Sequence, residues 1–331
     1  MTGSLRCSGQ WAEAAALWQD AVRIDTAFST AYAALGMHAY FTNRAVDGER
    51  WFERAAATLD GLPPREQTLV RARMESWRGN RDSSIVLLRT YLVEEPNDLE
   101  ALALLGYDYL RLNRDREGME VFRRLVREDS LRVPALINLA TVEKGLGEYD
   151  SAIAHYRRAF TIAPDVETEN SNINLEYGAT WVLAGQPDSA EAVFRKMLPL
   201  ARDQRARGLR SIAMLAMHRG QYQNAGKHLE EAIRLNRISE AGTSEVRNRL
   251  LLATTLLQRG LRDEAIVQFD STRAIVARFD ADPILMFWLG KALIRFGDVR
   301  AGAEVLTLLD ARRHPPTSRR LPHRRHCGVR S

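Results

Sequence analysis

Apolar and small residues recur along this chain in one scheme, each time after a glycine or an asparagine. Gly147 leads to Ala152, Tyr156 and Ala159; Gly185 to Ala190, Phe194 and Met197; Gly220 to Ala225, Leu229 and Ala232; Gly260 to Ala265, Phe269 and Thr272. Gly297 is followed by Gly302, Leu306 and Leu309, Gly79 by Ser84, Leu88 and Tyr91, and Gly9 by Ala14, Trp18 and Ala21. Two positions carry asparagine instead: Asn43 before Gly48, Phe52 and Ala55, and Asn113 before Gly118, Phe122 and Leu125. Successive anchors lie 34 to 40 residues apart. That is the period of stacked structural repeats rather than of separate globular domains.

Each period predicts two antiparallel helices. Before Asn113, residues Leu102, Leu105, Gly106 and Tyr109 share one face at three- and four-residue steps. The glycine or asparagine then permits a left-handed turn. In the second helix a small residue lets two backbones approach, and a large one four positions later fills the space beside them. Trp18, Phe52, Leu88, Phe122, Tyr156, Phe194, Leu229, Phe269 and Leu306 are therefore expected in the core. The longer periods predict extra loop residues near 167–170 and 240–245. Reading Gly9 as a turn leaves the helix after it as the second half of a unit.

This pattern resembles the tetratricopeptide repeat family, whose units carry Trp/Leu/Gly/Tyr on the first helix and Ala/Phe/Ala/Pro on the second. The resemblance is carried by Leu102, Leu105, Gly106, Tyr109, Gly118 and Phe122, by Tyr177, Gly178, Trp181, Ala190 and Phe194, and by Met286, Leu289, Gly290 and Leu293. It implies an all-α fold, a solenoid built as a right-handed superhelix of antiparallel helix pairs. The expected organisation is a stub at 1–8, about eight full repeats plus an N-terminal half-repeat over 9–313, and a basic tail at 314–331. A finer likeness lies in Leu62-Pro63-Pro64-Arg65-Glu66-Gln67, Arg71-Ala72 and the run from Gly79 to Pro96. It is similar to the repeat region of bacterial multidomain proteins in which a Ser/Thr kinase or DNA-binding regulator domain precedes the repeats. These 331 residues contain no kinase glycine-rich loop, His-Arg-Asp loop or Asp-Phe-Gly triplet.

Composition changes this picture at one end only. The chain has 47 basic and 42 acidic residues, a net charge of +5. Seven arginines and no acid fall in residues 311–331, so residues 1–310 carry −2. The basic character belongs to the tail, whose prolines and missing apolar period predict disorder. Cys7 and Cys327, near opposite ends, cannot build a disulfide framework. The longest apolar run, Ile284 to Leu289, is six residues, far short of a membrane span. Without a signal-peptide pattern, a cytoplasmic protein is expected. No zinc-protease motif, nucleophile elbow, phosphate-binding loop or close cysteine pair occurs. His38, His155, His218 and His228 stand singly in different units. No enzyme activity, metal or cofactor is expected.

The resemblance places the working surface on the first helices, at the second, fifth, ninth, twelfth and thirteenth positions of each unit. Phasing from the turns gives Tyr40, Phe41, Arg73, Trp77, Tyr107, Arg111, Lys144, Arg210 and His218 as groove residues, with Thr141, Met214, Phe287, Lys291 and Arg295 at the same positions of their units. Exposed aromatics and arginines are the usual anchors of peptide binding. The Lys/Asn/Lys/Arg clamp with which some members hold a C-terminal carboxylate has no counterpart: the fifth and ninth positions are Ala33 and Met37, Leu69 and Arg73, Ala103 and Tyr107, Ile137 and Thr141. The expected function is a scaffold that binds a peptide or protein segment in its concave groove. Two alternatives are a regulatory module of a larger kinase or transcriptional regulator, and nucleic-acid binding through the arginine-rich tail.

Overall fold

The computed structural model describes residues 8–41, 44–169, 171–278, 283–295 and 297–313. The turn expected at Asn43, residues 1–7 of the stub and the basic tail at 314–331 lie outside the described residues. All regular structure among the described residues is helical, as an all-α solenoid requires. The chain divides into two compact units, Met1–Leu200 and Ala201–Ser331.

The first unit holds α1 (Ser8–Ile24), α2 (Ser29–Phe41), α3 (Ala45–Ala57), α4 (Pro64–Arg78), α5 (Arg81–Glu94), α6 (Leu99–Arg111), α7 (Asp115–Glu128), α8 (Val133–Gly145), α9 (Tyr149–Ile162), α10 (Pro164–Glu169), α11 (Ser171–Leu183) and α12 (Pro187–Arg195). The hairpins are α2/α3, α4/α5, α6/α7, α8/α9 and α11/α12, with α1 packed on α2. Each first helix also touches the next one, α2 on α4, α4 on α6, α6 on α8 and α8 on α11. The second unit holds α13 (Arg202–His218), α14 (Tyr222–Ile238), α15 (Gly242–Gln258), α16 (Arg262–Arg278), α17 (Pro283–Arg295) and α18 (Val299–Arg313), paired in order.

Seven of the nine expected turns form among the described residues. Gly79, Gly147, Gly185, Gly220, Gly260 and Gly297 take φ between 73° and 97°, and Asn113 takes 55°. The next amide reaches back to close the helix end, as Asn80 N does to Glu75 O at 2.9 Å and Glu148 N to Glu143 O at 2.8 Å.

The hairpins are held by a size rule with a fixed offset. Sixteen residues before each large second-helix residue stands a small one on the first helix: Gly36 before Phe52, Gly106 before Phe122, Gly178 before Phe194, Gly290 before Leu306. A Cβ on Gly106 would lie 2.7 Å from the Phe122 ring, and those on Gly36 and Gly178 would meet Phe52 and Phe194 closer still. The same offset pairs Ala72 with Leu88, Ala140 with Tyr156, Ala213 with Leu229 and Ala253 with Phe269. Of the expected core residues, Phe52, Leu88, Phe122, Tyr156, Phe194, Leu229 and Phe269 are buried. Trp18 and Leu306 are half-buried.

Three expectations are corrected. Gly9 is not a turn: it lies in the first turn of α1, where helix amides lack intrahelical partners anyway. The residues near 240–245 do not form a loop. They lengthen the helices, α14 and α15 each running 17 residues where α7 and α9 run 14. The remaining link is tight enough that Glu240 adopts φ 54°, with Ala241 N bonded to Asn236 O at 2.9 Å. The earlier extra segment is likewise helical, as α10; Asn170 lies outside the described residues.

Candidate functional site

In the first unit the proposed groove residues lie on helices that touch in series. Arg73, Tyr107 and Thr141 repeat at 34 residues on α4, α6 and α8, and Trp77 and Arg111 repeat at 34 residues one turn further on. Arg111 is exposed, and Trp77 and Tyr107 are half-buried. Trp77 packs against the cluster of Tyr32, Leu35, Phe52, Val70 and Met74, so its ring braces α4 as well as edging the surface. Thr141 turns inward, its hydroxyl bonded to Ile137 O and to the Tyr156 hydroxyl at 3.0 Å.

Several expected contact residues are already engaged. The Tyr40 hydroxyl donates to Glu49 at 3.1 Å, and its ring stacks on Phe52 with centroids 5.4 Å apart. Burial, and then the Glu49 contact, raises the Tyr40 pKa. Arg78 bonds the same carboxylate and holds Glu49 below the ordinary glutamate range. Tyr40 is thus part of a joint between α2, α3 and α4 rather than a free edge. Phe41 closes α2, and its side chain lies outside the described residues.

The basic members form ion pairs between successive first helices. Arg73 on α4 pairs with Glu100 on α6, and Lys144 on α8 pairs with Glu176 on α11. Arg65 strengthens the first link, donating to Asp98 at 2.6 Å and to Glu100 at 3.2 Å. Asp98 is also the N-cap of α6, accepting from the amides of Glu100 and Ala101, and it receives the Tyr91 hydroxyl. Burial pushes the Asp98 pKa up, yet Arg65, the two amides and Tyr91 together hold it below its ordinary value. Sequence reasoning missed Glu49, Asp98, Glu100 and Glu176. Their basic partners lie 27 to 35 residues away on other helices, and only the 34-residue period hints that such positions are neighbours.

His155 is not isolated as expected. Its Nδ1 lies 2.7 Å from Glu143 Oε2 across the α8/α9 hairpin, and that carboxylate is 1% exposed. The pair closes a helix joint. Several clefts open elsewhere in this unit, two of them beside charged and aromatic side chains. One, of about 760 Å³, is lined by Arg65, Tyr91, Glu94, Glu95, Asp98 and Glu100 among others, and does not reach Trp77 or Tyr107. The other, of about 510 Å³, is lined by Arg157, Phe160, Tyr177, Trp181 and Lys196, with Arg157 stacked 5.1 Å over Trp181.

In the second unit His218 ends α13 and is exposed, while Arg210 is 8% exposed at its middle. Among the described residues there is no group of three or more His, Cys, Asp or Glu side chains able to hold a metal ion. No helix among them is long and apolar enough to cross a membrane.

Comparison with known proteins bears on this geometry. Two tetratricopeptide repeat profiles match, over residues 103–167 and 145–213. Tetratricopeptide repeat protein 8 of Caenorhabditis elegans is 25% identical over 108 residues, covering 33% of this chain and 21% of that protein. The chain thus spans about a fifth of the length of the curated relative it matches. Among solved structures, the apo form of RapI superposes with a TM-score of 0.64 at 13% identity, over 86% of this chain and 87% of that one. A tetratricopeptide repeat protein from Parabacteroides merdae ATCC 43184 gives 0.55 at 17% identity, over 74% and 92%. In sequence the chain is similar to tetratricopeptide repeats over residues 103–213, and in fold it is a helical solenoid of the tetratricopeptide repeat type.

Proposed function

We propose that the chain is a non-catalytic protein-interaction scaffold, and that the first helices of its first unit hold an extended segment of a protein partner in a cytoplasmic setting. The observation that carries this reading is the surface shared by α4 and α6: Trp77 half-buried and Arg111 exposed one repeat period apart, with Tyr107 half-buried one turn before Arg111, on helices that touch. It offers rigid aromatic surface and a guanidinium at low entropic cost. The interhelix pairs Arg73–Glu100 and Lys144–Glu176 act beneath it as braces, so that surface rather than the cations between helices does the binding.

A Trp77→Ala, Tyr107→Ala double variant tests it in a pull-down from the source cell, with Val93→Ala on the exposed side of α5 as control. Loss of a partner captured by the parent and by the control is expected. Equal capture by the double variant rejects the site. The finer likeness to repeats that follow a kinase or DNA-binding domain belongs to the same proposal: in-frame coding sequence for such a domain upstream of Met1 supports a regulatory module, and an in-frame stop refutes it.

A further inference from the structure

Clefts recur between second helices of the first unit, and one has diverged from its counterpart. The cleft of about 310 Å³ between α5 and α7 is lined by Arg89, Leu92, Leu105, Glu120 and Arg124 among others. Counted from the turns, the same positions line the cleft of about 510 Å³ between α9 and α12 as Arg157, Phe160, Tyr177, Ala192 and Lys196. Two leucines have become rings, and the acid has become an alanine. Among the described residues no carboxylate lines the larger cleft. The joint between α7 and α9 shows what Arg157 has lost. Arg123 follows Asn113 by the same number of residues as Arg157 follows Gly147. It reaches Glu148 at 2.8 Å and Glu143 at 3.7 Å in the next hairpin. One repeat later those two positions are Gln186 and Trp181. Arg157 is exposed, meets no carboxylate among the described residues, and lies 5.1 Å over the Trp181 ring. Lys196 on the opposite rim already makes an interaction, so Arg157 is the cation left for an incoming acid.

We propose that the cleft between α9 and α12 is a second docking site, for an extended protein segment that sets a carboxylate on Arg157 and an apolar side chain on the aromatic floor. Charge complementarity selects this occupant, since an unmatched cation stands above an apolar floor. Stacking uses the face of a guanidinium and leaves its in-plane N–H donors available, so Arg157 can keep Trp181 and bind a carboxylate at once. The floor is fixed by packing before any ligand arrives: Phe160, Tyr177 and Trp181 are all buried, with Tyr177 edge-on to Phe160 at 5.3 Å between centroids. The ring next to Trp181 is Tyr177, 6.0 Å away. Alternate side chains of an extended strand stand about 6.5 Å apart. The acidic and apolar residues of the segment are therefore two positions apart. The walls of this site are second helices, so it goes beyond the reading of the surface on α4 and α6 and does not rest on it.

The test labels the full chain with 5-fluorotryptophan and titrates it with the capped peptide Ser-Glu-Ser-Leu-Ser while the fluorine NMR signals are followed. The Trp181 signal is assigned by its loss in Trp181→Phe. A saturable shift of that signal is expected, with binding about twofold to fivefold weaker for the Gln counterpart of the peptide and for Arg157→Gln, the range for an exposed ion pair. Ala192→Glu, at another exposed position, restores the acid that the smaller cleft carries as Glu120 and weakens the peptide by a similar factor. Arg89→Gln, in the smaller cleft, leaves the affinity unchanged. An unmoved Trp181 signal overturns the proposal, as does equal binding of the Glu and Gln peptides, or unchanged affinity in Arg157→Gln or Ala192→Glu. An equal response to inorganic phosphate, or equal binding when Ser replaces Leu, reduces the site to a bare anion contact and also overturns it. So does a Trp181 signal that moves with protein concentration alone, which assigns the cleft to a second copy of this chain. Trp77 reports the first-helix surface in the same spectra, so either reading can fail while the other stands.

Discussion

Phe122→Ala is expected to destabilise the first unit by about 3–5 kcal/mol, the range for deleting a buried phenyl ring and leaving its cavity. Phe122 is 1% exposed and packs with Leu102, Leu125, Ala135, Leu139 and Val142, so it joins three helices, α6, α7 and α8. Its ring also lies where a Cβ on Gly106 would stand, 2.7 Å away, and α6 cannot slide inward to refill the space without moving its other contacts. In a repeat array each unit leans chiefly on its neighbours. The damage should therefore be local: amide exchange over residues 99–145 speeds first, while α13 to α18 keep the protection of the parent. Phe122→Leu, which recreates the Leu88 and Leu229 solution to the same position, should cost no more than about half as much. Denaturant unfolding and hydrogen exchange measure both. Uniform loss of protection across the chain would contradict the account of local packing.

Glu245→Ala carries the second large effect, again about 3–5 kcal/mol, for an electrostatic reason. Glu245 is 8% exposed and is the carboxylate that faces the buried guanidinium of Arg249; it also accepts from Arg237 on α14 at 3.1 Å. Arg237 is 62% exposed at its side chain and can return to water, but Arg249 at 5% cannot. Removing the acid leaves a buried charge with only the Gln268 amide oxygen. Removing both charges, as Glu245→Ala with Arg249→Met, should recover most of the loss, because the penalty lies in the unmatched ion and not in the missing pair. A double variant as unstable as the single one would show that Glu245 works by packing instead.

The hairpins were legible because their causes are local. A left-handed turn selects glycine or asparagine, which marked Gly79, Asn113, Gly147 and their successors. The close approach of two helices selects a small residue opposite a large one, which marked Phe122 and Phe194. Gly9 shows where that logic fails: the same residue type sits without strain in a helix's first turn, and nothing in the pattern separates the two cases. The lengthened α14 and α15 were hidden for a related reason, since residues added between anchors extend a helix as readily as a loop when their propensities allow it. The candidate site was legible in position but not in state. Phasing placed Arg73 and Lys144 on first helices, yet it did not reveal that Glu100 and Glu176 engage them. Phasing placed Arg210 on a first helix as well, but did not reveal that it is buried.

Site-specific photocrosslinking tests the central claim, that the first helices of the first unit bind the partner, most directly. A benzophenone side chain is placed at Arg111 on α6 or at Val93 on α5, both exposed, so neither substitution touches the core. The account predicts crosslinks to one extended segment of the partner from position 111 and none from position 93. Crosslinks from position 93 alone, or equal yields from the two, would contradict it.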